Sequence, residues 1–228
     1  MKIHYYALFF CLLIASCKGK SSAEIEKEEK VVFDQSLADE LERMAEVDQI
    51  AAYIPQGKYT EMSQEEWKSF KDSVFTTHQK RLTQIFDKHG FVGFDLAGEN
   101  GSNNFWLMVQ HSDHAPDFQK KVLQQMKIAV DHNNASPSNY GLLVDRVNLN
   151  TGLPQVYGTQ VDYRFDVCQA FPKNLKDSAN VNQRRSEIGL PPLEEYLNRM
   201  SKMHFEINKK IFLDKGIKGP KLYEIDDQ

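Results

Sequence analysis

The residues of this sequence best suited to chemistry form a polar cluster that directly follows an apolar run. Phe105–Val109 is apolar at all five positions, and Gln110–His114 (QHSDH) comes next. A stretch that is apolar on every side is normally buried on every side. We therefore expect the polar cluster at the edge of the core, where desolvation tunes imidazole and carboxylate groups.

Two kinds of chemistry suit this cluster. His111 could serve as a general base, oriented by Asp113 or by the later Asp145. His111 and His114 are three residues apart, so one helical side could offer two imidazoles to a metal. However, the zinc-helix pattern of two histidines four residues apart with a glutamate between them is absent. We therefore predict no bound metal, and both acid/base catalysis and a capping or packing role remain open.

Two later segments carry polar side chains that could join this cluster. Asp145 and Arg146 lie on a predicted helix, and we favour a structural ion pair over half of a substrate clamp. A neutral set of donors and acceptors follows, which either recognises sugars or amides or fixes a hairpin onto a helix. Its members are Gln155, Tyr157, Gly158, Thr159 and Gln160. The polar segment Asn182–Arg185, near a predicted helix start, could hold an anion, but we favour a solvated helix face.

The cost of burying unpaired polar groups predicts that these segments meet. A buried amide or hydroxyl without a partner costs roughly 1–3 kcal/mol. We therefore expect Gln110-His111, Asp145-Arg146 and Tyr157–Gln160 to line one pocket or buried polar cluster.

The remaining pattern predicts one mainly helical domain, residues 33–228, with a small β-hairpin. Helical apolar stripes begin near Ser36 and Ser63 and recur after Pro116 and Ser136. Phe105–Val109 is interpreted as helical because helical segments flank it, and the glycine-rich Phe91–Asn104 is interpreted as a loop.

Alternating apolar residues predict the hairpin. Val161, Tyr163, Phe165 and Val167 have the period of a strand with one buried face. We expect this strand to pair with Gln155–Gln160, with Gly158 in or near the bend.

The N-terminus resembles the signal of bacterial lipoproteins. A short basic start precedes Ala7–Ile14, which is apolar but too short to span a bilayer comfortably. Ile14–Cys17 (IASC) then resembles a lipobox. The resemblance implies a signal peptide over residues 1–16, lipid on Cys17 and a tether through residue 32, with the lipid bilayer as partner. Lys18 favours the outer membrane of the cell envelope under the sorting rule of that family. The alternative is an ordinary secretory signal with an incidental cysteine.

Composition excludes several classes of function. The formal net charge of -4 gives no general attraction to nucleic acid. Cys11 leaves with the predicted signal and Cys17 carries the predicted lipid, so Cys168 has no partner for an intramolecular disulfide. Because no phosphate-loop, dinucleotide or serine-elbow pattern occurs, we predict no cofactor and no covalent nucleophile.

Four segments together resemble an uncharacterised bacterial domain family of unknown function. They are WLMVQHSDH, VDRVN, PQVYGTQ and NVNQRRSEIGLPPLEEY, in order over roughly residues 80–200. Ala115 departs from the family, where many members carry an aspartate. The resemblance implies no activity, substrate or cofactor, but it implies which residues occupy the motif positions. These are Gln110, His111, Asp113, Asp145, Arg146, Gln155, Tyr157, Gly158, Thr159 and Gln160.

Two functions follow as hypotheses. The first is a hydrolase-like envelope enzyme, with His111 as base, Asp145 or Asp113 orienting it, and Tyr157–Gln160 binding the substrate. The second is a non-catalytic lipoprotein that binds a small molecule or an envelope protein through the same residues.

Overall fold

The computed structural model describes residues 31–225, and these residues belong to one compact unit. The predicted signal peptide, Cys17 and the tether as far as residue 30 lie outside them. Within the described residues, no helix is both long and apolar enough to cross a membrane.

The predicted class, mainly helical with a small β-hairpin, is confirmed. The helices are α1 (Gln35–Ala52), α2 (Gln64–His89), α3 (Phe94–Gln110), α4 (Pro116–Asp131), α5 (Pro137–Asn150), α6 (Val181–Glu187), α7 (Leu193–Ile207) and α8 (Lys209–Asp214). The strands β1 (Val161–Arg164) and β2 (Gln169–Pro172) pair in antiparallel fashion. Short 3-10 turns cover Gly57–Glu61 and Ser178–Asn180.

Polar caps fix where the first helices begin. The Ser63 side chain accepts from the amide of Glu66, whose carboxylate accepts from the amide of Ser63, so α2 opens on a full capping box. α1 begins at Gln35, one residue before the predicted start at Ser36. Asp34 caps it instead, accepting from the Leu37 amide at 3.0 Å, while the Asp34 amide donates to Leu96 at 2.7 Å.

The glycine-rich segment is helical, so the loop predicted over Phe91–Asn104 is wrong for most of its length. Gly98 has φ +70° and ψ 175°, which are not helical values, so two helical segments meet at a kink within α3. A Cβ on Gly101 would lie 2.6 Å from the Cβ of Ala97 and 3.7 Å from the backbone of Ala38 on α1. Glycine at position 101 therefore makes room for Ala97 on the other side of Gly98, whereas the distance to α1 is that of an ordinary contact. The interpretation of Phe105–Val109 as helical is confirmed.

The hairpin forms one segment later than expected. Val161 lies opposite Pro172 and Arg164 opposite Gln169, with residues 165–168 in the turn. Cys168 in that turn has φ +47°. Gln155–Gln160 contributes no strand to this hairpin, apart from an isolated parallel bridge between Gln155 and Leu175.

The main core lies among α1 to α5, and a smaller apolar cluster joins the hairpin to α6 and α7. Phe105, Met108 and Val109 on α3 are buried in the main core. Because α1 and α2 both pack on α3, polar residues on their inward faces are brought to the end of the Phe105–Val109 run. In the smaller cluster, Ala170 of β2 packs with Leu197 of α7.

Candidate functional site

A buried carboxylate on α1 meets the histidine that ends α3. Asp48 Oδ2 lies 2.6 Å from Nδ1 of His111. The Asp48 side chain is 1% exposed and that of His111 is 19% exposed. The His111 ring also packs against Phe75, with ring centroids 5.3 Å apart. An ionised Asp48 accepts a hydrogen bond, so we assign the ring proton to Nδ1 and the lone pair to Nε2. Nε2 has no hydrogen-bond partner among the described residues.

A second imidazole faces the other oxygen of the same carboxylate. His78 Nδ1 lies 3.7 Å from Asp48 Oδ1, and both atoms are buried without a hydrogen bond within residues 31–225. Gln49 Nε2 donates to Oδ2 at 3.2 Å. Burial opposes ionisation of Asp48, but the hydrogen bond from His111 and the nearby imidazole of His78 outweigh burial, so the pKa of Asp48 lies below its ordinary value. Asp48 is therefore an anion at neutral pH.

The predicted partner of His111, Asp113 or Asp145, is wrong. The partner is Asp48, which lies 63 residues earlier in the chain. A signal was available, because Asp48 falls on the buried face of α1 between Ala45 and Ala51. A carboxylate on such a face is rarely fully buried unless it is paired.

Asp113 pairs with Arg146 rather than with a histidine. Arg146 donates from Nε and Nη2 to the two carboxylate oxygens, at 2.8 and 2.6 Å. Asn150 and Gln119 donate to Oδ1 at 2.7 and 3.3 Å. Burial opposes ionisation of Asp113, but Arg146 outweighs it, so the pKa of Asp113 is lowered. This fork ties the end of α3 to α5, which is a structural use of both residues.

Asp145 is fully buried and holds a loop. Its Oδ1 accepts from the amides of Val156 and Tyr157, at 2.7 and 3.0 Å. Its Oδ2 accepts from the amide of Thr159 at 2.8 Å. Three backbone donors therefore satisfy the carboxylate, which agrees with a structural role for Asp145. The predicted ion pair with Arg146 is wrong, because Arg146 binds Asp113 instead.

The side chain of Gln155 closes the same loop on itself. Its Nε2 donates to the carbonyls of Gln160, at 2.8 Å, and of Lys173. Its Oε1 accepts from the Gln160 amide at 2.7 Å. Gly158 has φ +71° at the bend, where a Cβ would lie 3.1 Å from Leu193. The amides that suggested ligand recognition are thus largely used inside the loop.

Cationic and hydroxyl groups bind the outward carbonyls of this loop. Arg184 Nε donates to Val156 at 2.9 Å, and the Tyr196 hydroxyl donates to Thr159 at 2.6 Å. An anion therefore sits on the amide side of residues 155–160, and donors sit on the carbonyl side.

The prediction of a solvated helix face at Asn182–Arg185 is wrong for Arg185. Its side chain is fully buried, and its guanidinium donates to the carbonyls of Tyr157 and Pro191, each at 2.6 Å. Burial lowers the pKa of Arg185. A single amphipathic turn cannot indicate this burial, because the carbonyls that bind the guanidinium belong to other segments.

The predicted convergence holds only for part of the set. Asp145 and residues 155–160 meet, but Arg146 binds Asp113, and His111 binds Asp48. Gln110 is buried beside the His111 site, and its carbonyl accepts from Gln119 at 3.4 Å. Each polar group is therefore satisfied by its own partners, and the three predicted segments do not form one shared cluster.

Comparison with known proteins places the chain in one family. A family model described as "Family of unknown function (DUF6624)" matches residues 35–208. The match is wider than the stretch over which the sequence motifs suggested a resemblance. No curated protein and no solved structure matches the chain.

Proposed function

The chain belongs to this family, DUF6624, whose function is unknown, and from that premise we propose a lipid-anchored bacterial envelope protein with hydrolase-like activity at His111. The observation that carries the catalytic part is the contact of 2.6 Å between Asp48 and His111 Nδ1. A buried anion on one ring nitrogen orients the imidazole and stabilises its protonated form. Nε2 then acts as the general base.

Water is the nucleophile in this proposal. The hydroxyl next to the histidine belongs to Ser112, which is buried and donates to the Met108 carbonyl at 3.1 Å. A hydroxyl held in this way points into its own helix, so His111 would activate a water molecule instead. A general base contributes about 10²–10⁴-fold to a rate.

A neighbouring groove gives the substrate a place to bind. Gln49, which donates to Asp48, also lines a cavity of about 370 Å³ with Ile50, Tyr53 and Ile54. A substrate with an apolar group could rest there while its scissile bond faces the imidazole. The hydrogen bond from Gln49 joins the groove to the carboxylate that orients His111.

Substitution of His111 tests the catalytic part. With a panel of chromogenic esters and amides, we expect His111→Gln to lower the turnover of any active substrate by roughly 100-fold or more, because the base is gone. Asp48→Asn should also lower turnover, since the ring loses its anionic partner. His114→Gln is the matched control, because His114 is a solvent-exposed histidine three residues after His111. This variant should retain full turnover. Equal activity of His111→Gln and wild type contradicts the proposal.

Acid unfolding provides an independent measurement on Asp48→Asn. The lowered pKa of Asp48 gives stability that is present above the ordinary carboxyl pKa and is lost as pH falls through the folded-state value. The difference in unfolding free energy between wild type and Asp48→Asn should therefore shrink on acidification. A constant difference would mean that Asp48 is not an ion in the folded protein.

The alternative is a binding protein without turnover, and the exposed apolar groove favours it. Ile54 is 62% exposed and Tyr53 is 61% exposed, which is unusual for large apolar side chains on adjacent positions. On this alternative, Ile54→Asp abolishes capture of an envelope protein while His111→Gln has no effect.

Substitution of Cys17 tests the anchor. We expect Cys17→Ser to leave an uncleaved or soluble precursor, because the atom that carries the lipid is removed. Membrane fractionation and the mass of the N-terminal peptide measure this directly. Cys168→Ser is the control, since its thiol is buried in the folded unit, and it should fractionate as wild type does. Unchanged membrane association of the Cys17→Ser protein would contradict the lipoprotein interpretation.

A further inference from the structure

Two cavities lie side by side over the kink of α3. One, of about 390 Å³, lies between α3 and α1, and the other, of about 330 Å³, lies between α3 and the start of α5. Glu99 and Asn100 line both cavities. The pair therefore forms one extended groove across the segment Gly98–Asn104, and neither Asp48 nor His111 lines it.

Several polar groups in this groove lack partners within residues 31–225. Ser102 is only 3% exposed, lines the second cavity and makes no side-chain hydrogen bond there. Asn139 donates to Oδ1 of Asn103 at 2.9 Å, which leaves the Asn103 amide nitrogen and the Asn139 amide oxygen unused. The Ser102 hydroxyl and the two unused amide groups lie on the cavity wall, where they can hydrogen-bond to a ligand or to water.

The charge of the groove limits the class of ligand. No basic side chain is among the described residues that line either cavity, whereas Asp39, Glu42 and Glu99 are acidic. Phosphates and other anions would meet unfavourable charge here. Amides and hydroxyls that can both donate and accept favour a ligand rich in neutral hydroxyl and amide groups.

Aromatic side chains border both cavities. Phe33 is 48% exposed beside the first cavity, and the half-buried Phe94 lines the second. Trp106 also borders the second cavity, but it belongs to the main core and is only 7% exposed. The indole Nε1 of Trp106 donates to the Asn139 carbonyl at 2.8 Å, which holds that wall in place. The walls are helical and present no strand edge to an extended peptide, and the floor is too polar for an amphipathic helix.

We propose that this groove binds a neutral oligosaccharide, with one sugar ring in each cavity and Asn100 between them. Sugar rings offer an apolar face to an aromatic side chain and hydroxyls to amides, which is the combination that lines the groove. The site is separate from the His111 site and does not depend on the activity proposed there.

Tryptophan fluorescence of the full chain tests the proposal. The chain has two tryptophans, so Trp67→Phe leaves Trp106 as the reporter inside the groove. The β-1,4-linked tetramer of N-acetylglucosamine is the probe, with the monosaccharide, inorganic phosphate and trialanine for comparison. We expect the tetramer to change the emission at roughly millimolar or lower concentration and to bind at least about tenfold more tightly than the monosaccharide, because it reaches both cavities.

Two variants and one control locate the binding. Asn103→Ala removes unused donors, and we expect it to weaken tetramer binding roughly three- to tenfold. Asn100→Ala should weaken the tetramer more than the monosaccharide. Asn180→Ala is the control, since this exposed asparagine makes one side-chain bond, to Asp177 at 2.9 Å, and it should bind as wild type does.

Other outcomes overturn the inference. These are no response to any sugar, equal affinity for tetramer and monosaccharide, tighter binding of phosphate or trialanine, and sugar binding that Asn103→Ala leaves unchanged. Because Asn100 and Asn103 are not in the hydrophobic core, their substitution should preserve the fold, and an unchanged melting curve checks this.

Discussion

Replacing Asp145 by asparagine should lower the melting temperature by roughly 5–15 °C, although the change is nearly isosteric. Both oxygens of Asp145 accept backbone amides, at 2.7 and 3.0 Å on one side and 2.8 Å on the other. In Asp145→Asn, one of these oxygens becomes an NH₂ group that faces an N–H. Losing charge-assisted bonds and leaving a buried donor unpaired costs about 2–4 kcal/mol of unfolding free energy.

Hydrogen exchange locates this loss. The amides of Val156, Tyr157 and Thr159 should exchange faster in Asp145→Asn than in wild type. The matched control is Asp162→Asn, because the exposed Asp162 also accepts a backbone amide, that of Tyr163 at 2.9 Å. The control should change stability by less than about 0.5 kcal/mol. An Asp145→Asn protein as stable as wild type would show that Asp145 belongs to a functional site and not to the scaffold.

Replacing Arg185 by alanine should be comparably destabilising, by about 3 kcal/mol, or roughly 6–12 °C in melting temperature. The substitution removes a fully buried side chain and leaves the carbonyls of Tyr157 and Pro191 without donors. Part of this cost is offset, because the folded protein no longer desolvates a guanidinium. Thermal unfolding followed by circular dichroism measures the result.

Arg199 provides the matched control for Arg185. The two guanidinium groups lie over the ring of Tyr196, at 5.1 and 5.5 Å from its centroid, but Arg199 is exposed. Arg199→Ala should therefore stay within about 0.5 kcal/mol of wild type. If Arg185→Ala changes the unfolding free energy as little as Arg199→Ala does, the Arg185 hydrogen bonds to the carbonyls of Tyr157 and Pro191 do not stabilise the fold.

The sequence alone determined the class of the fold and most helix positions. Periodic apolar stripes and the caps at Ser63 and Ser136 are local signals, and the helices that they predict are present. The family resemblance, which the family match confirms, also rested on local patterns, and so does the predicted N-terminal signal. Local chemistry alone did not predict the helical segments on both sides of Gly98, because whether glycine ends, kinks or packs a helix depends on what lies beside it.

The tertiary structure decided how the polar residues pair. Polar contacts were correctly predicted for four residues, His111, Asp113, Asp145 and Arg146, but the predicted carboxylate partner of His111 was wrong. The packing of α1 and α2 on α3 places Asp48 against His111. The approach of α5 to the end of α3 brings Arg146 within hydrogen-bond distance of Asp113. A hydrogen bond requires its donor and acceptor to lie about 3 Å apart. The spacing of residues along the chain does not predict which distant segments come that close, so these pairs could not be predicted from it. Burial of Asp48, Asp145 and Arg185 was therefore set by long-range packing, and each ion then took the donors or acceptors that this packing supplied.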